Sequence, residues 1–350
     1  MREGHPRFFP EAGTWARVAF AAPERSPLSS PVTRENPCSG PTRRFIARTD
    51  EHSSRDAAAD KGYKPMKALT QQQVDRYRHD GFLFPVPALT PTEITTCLAG
   101  LERLETELGS PVAEADVKWR SHAYAHSPWF NALIRHPRIL DAVEDVIGPN
   151  ILVWTSTFFI KEPHSPTFAA WHQDGTYFGL DPHEQVCAWV ALTDASREAG
   201  CMEHLSSHGA PRQFRHAPLG LANSINRAGQ TITEPFDETH PVAMALPAGS
   251  FSLHHEFAVH RSAPNNAAHR RVGIGLNYIP THVRVDSPVR LCAMLVRGED
   301  KFGHFDLVDP PMAERDAAAL AVHQRVSDRY RENYKIQVTR HEQRYAEAEV

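Results

Sequence analysis

Hydrophobic positions recur at helical spacing from Thr70 onward, and the punctuation around them marks where helices begin and end. Thr70 is placed to cap a helix over 71–79, which Asp80-Gly81 stops. Thr90-Pro91 opens a second helix with Ile94, Leu98, Leu101 and Leu104 on one face. Pro137 starts a third over Ile139–Val146, closed by Gly148-Pro149-Asn150. The texture then changes. Ile151–Ile160 is apolar, β-branched and aromatic, as a buried strand would be, and further strands are expected at 169–174, 185–192, 201–205, 241–246, 251–261 and 271–279. Turn signals such as Ala199-Gly200 and Pro247-Ala248-Gly249 separate them. Many short strands without intervening helices predict a mainly β protein with flanking helices and a sandwich or jelly-roll core. A long polar stretch, 209–240, interrupts the strands and is read as a lid or substrate loop. Helical spacing returns over 311–335, and no internal repeat is visible.

Residues 1–65 are unlike the rest: rich in Pro, Ser and Arg, with no sustained amphipathic period, they read as a disordered extension. Glu11, Glu24, Glu35, Asp50 and Glu51 argue against a transit peptide, and Met66, where ordered-looking sequence begins, is the expected native start. Residues 66–350 are then one domain, mostly helical over 66–150, β over 151–290, with a C-terminal extension over 291–350 that includes a helix.

Composition narrows the class. The chain has 350 residues, 41% hydrophobic and 23% charged, which suits a soluble globular protein. No apolar run reaches the roughly 20 residues that span a bilayer. A net charge of -4 gives no basic face for nucleic acid. The five cysteines form no C-x-x-C pair, and an odd number cannot all pair within the chain, so a reducing cytoplasm is expected. Cys187 sits in an apolar run and reads as a small core residue. The oligomeric state is left open.

With 21 histidines, metal-like spacings arise by accident. Three His-x-acid pairs occur: His172-Gln173-Asp174, His254-His255-Glu256 and His304-Phe305-Asp306. On a strand, residues i and i+2 point the same way about 6.6–6.8 Å apart, so such a pair can converge on one ion. Two imidazoles and one carboxylate on one face of iron(II) leave the opposite face open for substrate and dioxygen. His304 has no suitable third partner, and His254 and Glu256 share their expected strand with His260. That selects His172 and Asp174, with His260 from a remote strand. Dioxygen activation at iron(II) also needs electrons, for which 2-oxoglutarate is a common source. Its far carboxylate needs an anchor, and an arginine forms a bidentate pair worth about 1.5–3 kcal/mol. Arg271 opens the strand 271–279 and is the candidate; Arg270 beside it reads as solvated.

The runs Phe159-Ile160-Lys161-Glu162-Pro163, Trp171-His172-Gln173-Asp174-Gly175-Thr176-Tyr177-Phe178 and His260-Arg261-Ser262-Ala263-Pro264-Asn265, followed by Arg271, resemble the phytanoyl-CoA dioxygenase family, and the resemblance extends from about Leu69 to near Tyr334. It implies a double-stranded β-helix, iron(II), 2-oxoglutarate and dioxygen. It implies His172, Asp174 and His260 as iron ligands and Arg271 as the carboxylate anchor. It implies Ser262 assisting that anchor, Trp189 lining the same pocket and Gln173 touching the cosubstrate. Two departures stand out: Arg261 where the family usually has Gly, and Ser206-Ser207-His208 where it often has a Gly-Ser-His turn. Related halogenases carry Ala or Gly at the position of Asp174, so hydroxylation is expected rather than chlorination.

Tyr177 and Phe178 follow the ligand motif and either line the substrate pocket or belong to the barrel core. His254 and His255 either stand behind the ligands or are plain polar strand residues, the second being preferred. Lys161 either approaches an anion or sits on the surface. The expected reaction hydroxylates an unactivated C–H of a small molecule with release of succinate and carbon dioxide. A non-catalytic jelly-roll binding protein and a zinc hydrolase on the same ligands are the alternatives.

Overall fold

A computed structural model describes residues 66–226 and 230–347. The expected disordered extension, 1–65, and the start at Met66 that follows from it lie outside the described residues. Both predicted caps form. The helix α1 (Gln71–Asp80) begins with the Thr70 hydroxyl accepting from Gln73 N at 3.2 Å while the Gln73 side chain accepts from Thr70 N at 2.8 Å, and it ends on Gly81 at φ 84°. The helix α2 (Pro91–Leu108) repeats the box with Thr90 and Glu93. α3 (Pro128–Ile134) and α4 (Pro137–Ile147) each start on a proline, and α5 (Ala317–Glu347) lies later and runs longer than the 311–335 expected.

Fifteen strands follow in chain order among the described residues: β1 (Phe82–Pro87), β2 (Ile151–Lys161), β3 (Ala169–His172), β4 (Leu180–Asp181), β5 (Val186–Ala191), β6 (Met202–Leu205), β7 (His216–Pro218), β8 (Gln230–Ile232), β9 (Val242–Met244), β10 (Ser250–His255), β11 (Val259–Ser262), β12 (Arg271–Pro280), β13 (Arg284–Val285), β14 (Cys292–Arg297) and β15 (Asp306–Leu307). They form a seven-stranded sheet in the order β1-β10-β5-β12-β2-β14-β15 and a four-stranded sheet in the order β3-β11-β6-β9. This is a double-stranded β-helix with flanking helices. The outer face of the larger sheet carries Val153, Val190, Leu253 and Ile274, which pack with Leu101, Leu104, Phe130 and Val143 of α2, α3 and α4 in one core. Each such buried side chain contributes about 1.5–3 kcal/mol, so the helical layer holds the larger sheet rigid. Residues of opposite parity, Cys187 and Trp189 among them, pack with Met202 and Met244 of the smaller sheet. No described helix is long and apolar enough to cross a membrane.

Three strand expectations change. The expected strand 251–261 is two strands in different sheets. Its break comes at a turn in which Ala258 N donates to His255 O at 2.9 Å and Phe257 N donates to His255 Nδ1 at 3.1 Å, so ladder bonding stops there. His254 and His260 therefore do not share a strand. The strand expected over 169–174 stops at His172, because Asp174–Tyr177 winds into a 3-10 turn. The helical region 66–150 and the C-terminal extension 291–350 also supply β1 and β14 to the larger sheet. The long segment 209–240 is not structureless: it contains the β7–β8 pair, and its Ile232, Phe214 and Phe236 pack on Trp171, Leu205 and Val259, the outer face of the smaller sheet.

Candidate metal centre

His172 and His260 face each other directly across the β3–β11 ladder, ring centroids 4.1 Å apart. Alternation along the strands explains why both point inward. Trp171 and Val259 take the outer face, so their neighbours take the inner one. Each ring is held by its own backbone: His172 Nδ1 lies 2.8 Å from Ala170 O and His260 Nδ1 2.9 Å from Ala258 O. A carbonyl accepts only from N–H, so the proton sits on Nδ1 and each Nε2 lone pair is free. Both Nε2 atoms converge on Asp174 Oδ1, at 3.6 Å and 3.8 Å.

Asp174 reaches that point from the 3-10 turn rather than from the strand. The turn is tied down by Gly175 N donating to Glu256 O at 2.9 Å and by the Thr176 hydroxyl donating to Gln173 O at 3.1 Å. Residue 175 must be glycine for this approach, since a β-carbon there would lie 2.4 Å from Glu256 Oε2. Burial raises the Asp174 carboxyl, but the neighbouring His260, then the His172 and His254 rings beside its oxygens, outweigh it and hold the group well below the usual carboxylate range. Burial pushes His260 down to about 3. An ionised carboxylate beside a neutral imidazole is the protonation state that a divalent ion requires. The three donors lie within 4.8 Å of one another, so the donor set fits a 2-His-1-carboxylate ion.

Beside these donors is a cavity lined by Trp189, Arg271, Ser262 and Phe159 as well as the three donors themselves. Arg271 is 2% exposed, and its Nη1 donates to Gly200 O at 2.5 Å while its Nε has no partner. The guanidinium lies 5.4 Å from the centre of the Trp189 ring. Lys161, read from the sequence as either near an anion or on the surface, is 1% exposed. Its Nζ donates to Ser262 Oγ at 2.8 Å and to Ala263 O. Burial, then the neighbouring Arg271, pushes Lys161 down to about 6, and burial pushes Arg271 down to about 10. Two buried basic side chains, the Arg271 guanidinium and a Lys161 amine whose charge burial disfavours, therefore meet at Ser262 and Gly200 with no carboxylate paired to either among the described residues. Unpaired buried charge is costly, and an anion in the cavity would relieve it. Arg270, expected to be solvated, is paired with Glu105 at 2.5 Å and Glu162 at 2.8 Å.

The remaining candidates lie elsewhere. Gln173 is fully buried, but its amide donates to Arg212 O and Phe257 O, both at 2.7 Å, and its carbonyl accepts from Phe214 N at 2.8 Å. It pins the 209–240 segment and does not line the cavity. Tyr177 packs edge-on against Tyr334 and His341, and Phe178 against Trp154; neither lines the cavity. His304-Phe305-Asp306 ends in an ion-paired carboxylate, Asp306 with Arg290 at 2.5 Å. Arg261 does line the cavity, but its guanidinium pairs with Glu203 at 2.7 Å over the Trp171 ring. Ser206-Ser207-His208 docks on the end of α1, with Ser206 Oγ donating to Asp80 Oδ1 at 2.8 Å.

Sequence reasoning missed three residues at the site. His204 stands next to His260 on β6, fully buried, its ring stacked at 5.0 Å. Cys187, expected in the core, is buried and also lines the cavity. His254, preferred as a plain strand residue, reaches the cavity from the larger sheet, its Nε2 3.3 Å from Asp174 Oδ2. The signal was present for His254: Ser252 and His254 alternate with Phe251 and Leu253, so the polar pair shares the inner face.

Residues 77–273 match the family model described as phytanoyl-CoA dioxygenase (PhyH). A probable alpha-ketoglutarate-dependent hypophosphite dioxygenase of Stutzerimonas stutzeri is 27% identical over 151 residues, 42% of this chain and 52% of that protein. A phytanoyl-CoA dioxygenase domain-containing protein 1 of Rattus norvegicus is 29% identical over 164 residues, 45% of this chain and 55% of that one. The chain thus spans about half the length of these curated relatives. Among solved structures, the non-heme monooxygenase ThoJ superposes with a TM-score of 0.67 at 32% identity, covering 77% of this chain and 99% of that one.

Proposed function

The chain belongs to the phytanoyl-CoA dioxygenase family, and from that premise we propose that it is an iron(II)- and 2-oxoglutarate-dependent oxygenase that hydroxylates a small molecule. The observation that carries the reading is the pairing of two sites in one cavity: a 2-His-1-carboxylate donor set and, beside it, the buried Arg271 guanidinium and the Lys161 amine, neither with a carboxylate partner among the described residues. A zinc hydrolase or a plain binding module has a use for the first but none for the second.

His172, Asp174 and His260 would hold iron(II), which when bound supplies the activation of dioxygen at the expense of 2-oxoglutarate. Everything else is positioning. Arg271 is the anchor for the far carboxylate, with Ser262 and Lys161 completing the polar end; a charge-assisted bond of this kind is worth about 1.5–3 kcal/mol. Trp189 supports the guanidinium and walls the cavity. Phe159 and Met202 exclude water, which keeps the decarboxylation coupled to substrate. Asp174 fills the position that a halide would need, so hydroxylation is favoured over halogenation. Gln173 acts through the 209–240 segment: its buried amide fixes where that segment leaves the ligand motif. The substrate is a small molecule admitted past Ile225 and Asn226, which line the cavity from that segment.

The test is anaerobic titration of the metal-free protein with iron(II) and then 2-oxoglutarate, followed by a panel of small molecules scored by succinate release. A weak visible charge-transfer band and substrate-stimulated succinate are expected. Turnover supported by zinc and indifferent to 2-oxoglutarate would overturn the reading.

A further inference from the structure

We infer that His254 is a positioning residue for the metal centre: it holds Asp174 so that one carboxylate oxygen alone is presented to the histidine ligands. The inference rests on the reading of the site as a 2-His-1-carboxylate centre. The two oxygens of Asp174 have different neighbours. Oδ1 faces His172 Nε2 and His260 Nε2 at 3.6 Å and 3.8 Å, whereas Oδ2 turns to His254 Nε2 at 3.3 Å. The ligand histidines belong to the smaller sheet and His254 to β10 in the larger one, so the carboxylate is gripped from opposite walls of the cavity.

His254 differs from the ligand histidines in how its ring is held. Their Nδ1 atoms are engaged by backbone carbonyls, but His254 Nδ1 is buried without a partner. A neutral imidazole carries one N–H, and an ionised carboxylate only accepts, so the His254 proton sits on Nε2 and is donated to Asp174. With its side chain 2% exposed, the His254 N–H has no bulk water competing for it, whereas the Asp174 side chain is 22% exposed. A carboxylate free of such a bond can close on a metal through both oxygens, and the second oxygen takes a position that the keto acid or dioxygen requires. Outer partners of metal ligands typically change affinity or activity by about 10–100-fold when removed.

His254→Gln and His254→Met make the matched test, since the side chains are similar in bulk and only Gln donates. Both are compared with the unaltered protein by anaerobic iron(II) titration, by the charge-transfer band formed with 2-oxoglutarate, and by circular dichroism of the metal-free forms. Expected is a loss of iron(II) or 2-oxoglutarate affinity of about 10–100-fold with a shifted or missing band in His254→Met, largely recovered in His254→Gln. A His254→Met protein that binds both with unchanged affinity and an unchanged band sinks the inference while leaving the function reading intact. The donor atoms of Asp174, Cys187 and His254 also lie within 4.8 Å of one another. Two equivalents of cobalt(II) bound by the unaltered protein, with a sulfur-to-cobalt absorption lost in Cys187→Ala, would make His254 a metal ligand and overturn the positioning role. An unaltered protein that binds no iron(II) at all overturns both readings together. Should His254→Met not fold, His254→Leu takes its place against His254→Gln.

Discussion

Gly273 lies beneath the indole of Trp189, so close that a β-carbon on residue 273 would fall 1.9 Å from the ring. Trp189 in turn stands over the guanidinium of Arg271, two residues earlier on the same strand as the glycine. The glycine therefore sets the height of the shelf on which the anchor rests. Gly273→Ala is expected to push the indole off its seat, costing about 1–3 kcal/mol of stability, as overpacking does. Urea unfolding measures the cost, and a raised KM for 2-oxoglutarate reports the displaced shelf.

Replacing Arg271 by Ala removes the anchor while leaving the metal donors in place. A lost charge-assisted bond of about 1.5–3 kcal/mol corresponds to a rise of about 10- to 150-fold in the KM for 2-oxoglutarate. Lys161→Met should act in the same direction, because the Lys161 amine holds Ser262 at 2.8 Å. Steady-state succinate release against 2-oxoglutarate concentration checks both, and iron(II) affinity should stay within a few-fold of the unaltered protein.

Metal binding should stabilise the fold by linkage. At about 100 times its Kd, a bound ion adds about 2.7 kcal/mol. Thermal unfolding with and without iron(II) under anaerobic conditions should show this rise. His172→Ala and Asp174→Ala should abolish it and take substrate-stimulated succinate release with it, and circular dichroism should show both variants folded. A full metal-dependent rise in Asp174→Ala would place the ion elsewhere.

Acid should destabilise the protein well before its carboxylates titrate. His126 is buried against Trp119 and His323 and His122 against Tyr124 and Tyr330, and burial pushes both down to about 3 from an ordinary value of 6.5. Their folded values lie below the unfolded one, so below about pH 6.5 the unfolded chain binds protons that the folded chain does not. Stability is complete above that pH and falls as pH drops toward 3, at about 1.4 kcal/mol per pH unit for each such group. Denaturant midpoints of the metal-free protein between pH 7 and 4.5 measure the slope, and His126→Gln should flatten it.

Much of this was legible in the chain. Thr70 with Gln73 and Thr90 with Glu93 write helix starts in local chemistry, and local chemistry survives folding. His172, His260 and Arg271 point into one cavity because alternation along strands is also a local rule. What escaped was set by tertiary contacts. Asp174 leaves the strand because Gly175 lies on Glu256, a residue more than 80 positions away. Lys161 looks like any lysine in its run, and only the pairing of β2 with β12 places it beside Arg271. Gln173 follows the ligand histidine in sequence, yet its outward parity hands it to the 209–240 segment. His254 and His260 keep the same parity, but the break at Glu256–Phe257 that sends them to opposite sheets leaves no hydrophobic signature.

That break has a consequence for how the chain can change over generations. One continuous run, Ser250–Ser262, supplies a strand to each sheet and a histidine to each wall of the cavity. Losing or gaining a single residue within either strand would turn that strand's histidine outward while its companion stayed inward, because side-chain direction reverses at every step along a strand. Drift in length is thus confined to places such as 209–240, where insertions alter what the cavity admits. The thirteen-residue run behaves as a caliper of set span, and new specificities would arise around it while its own length stays constant.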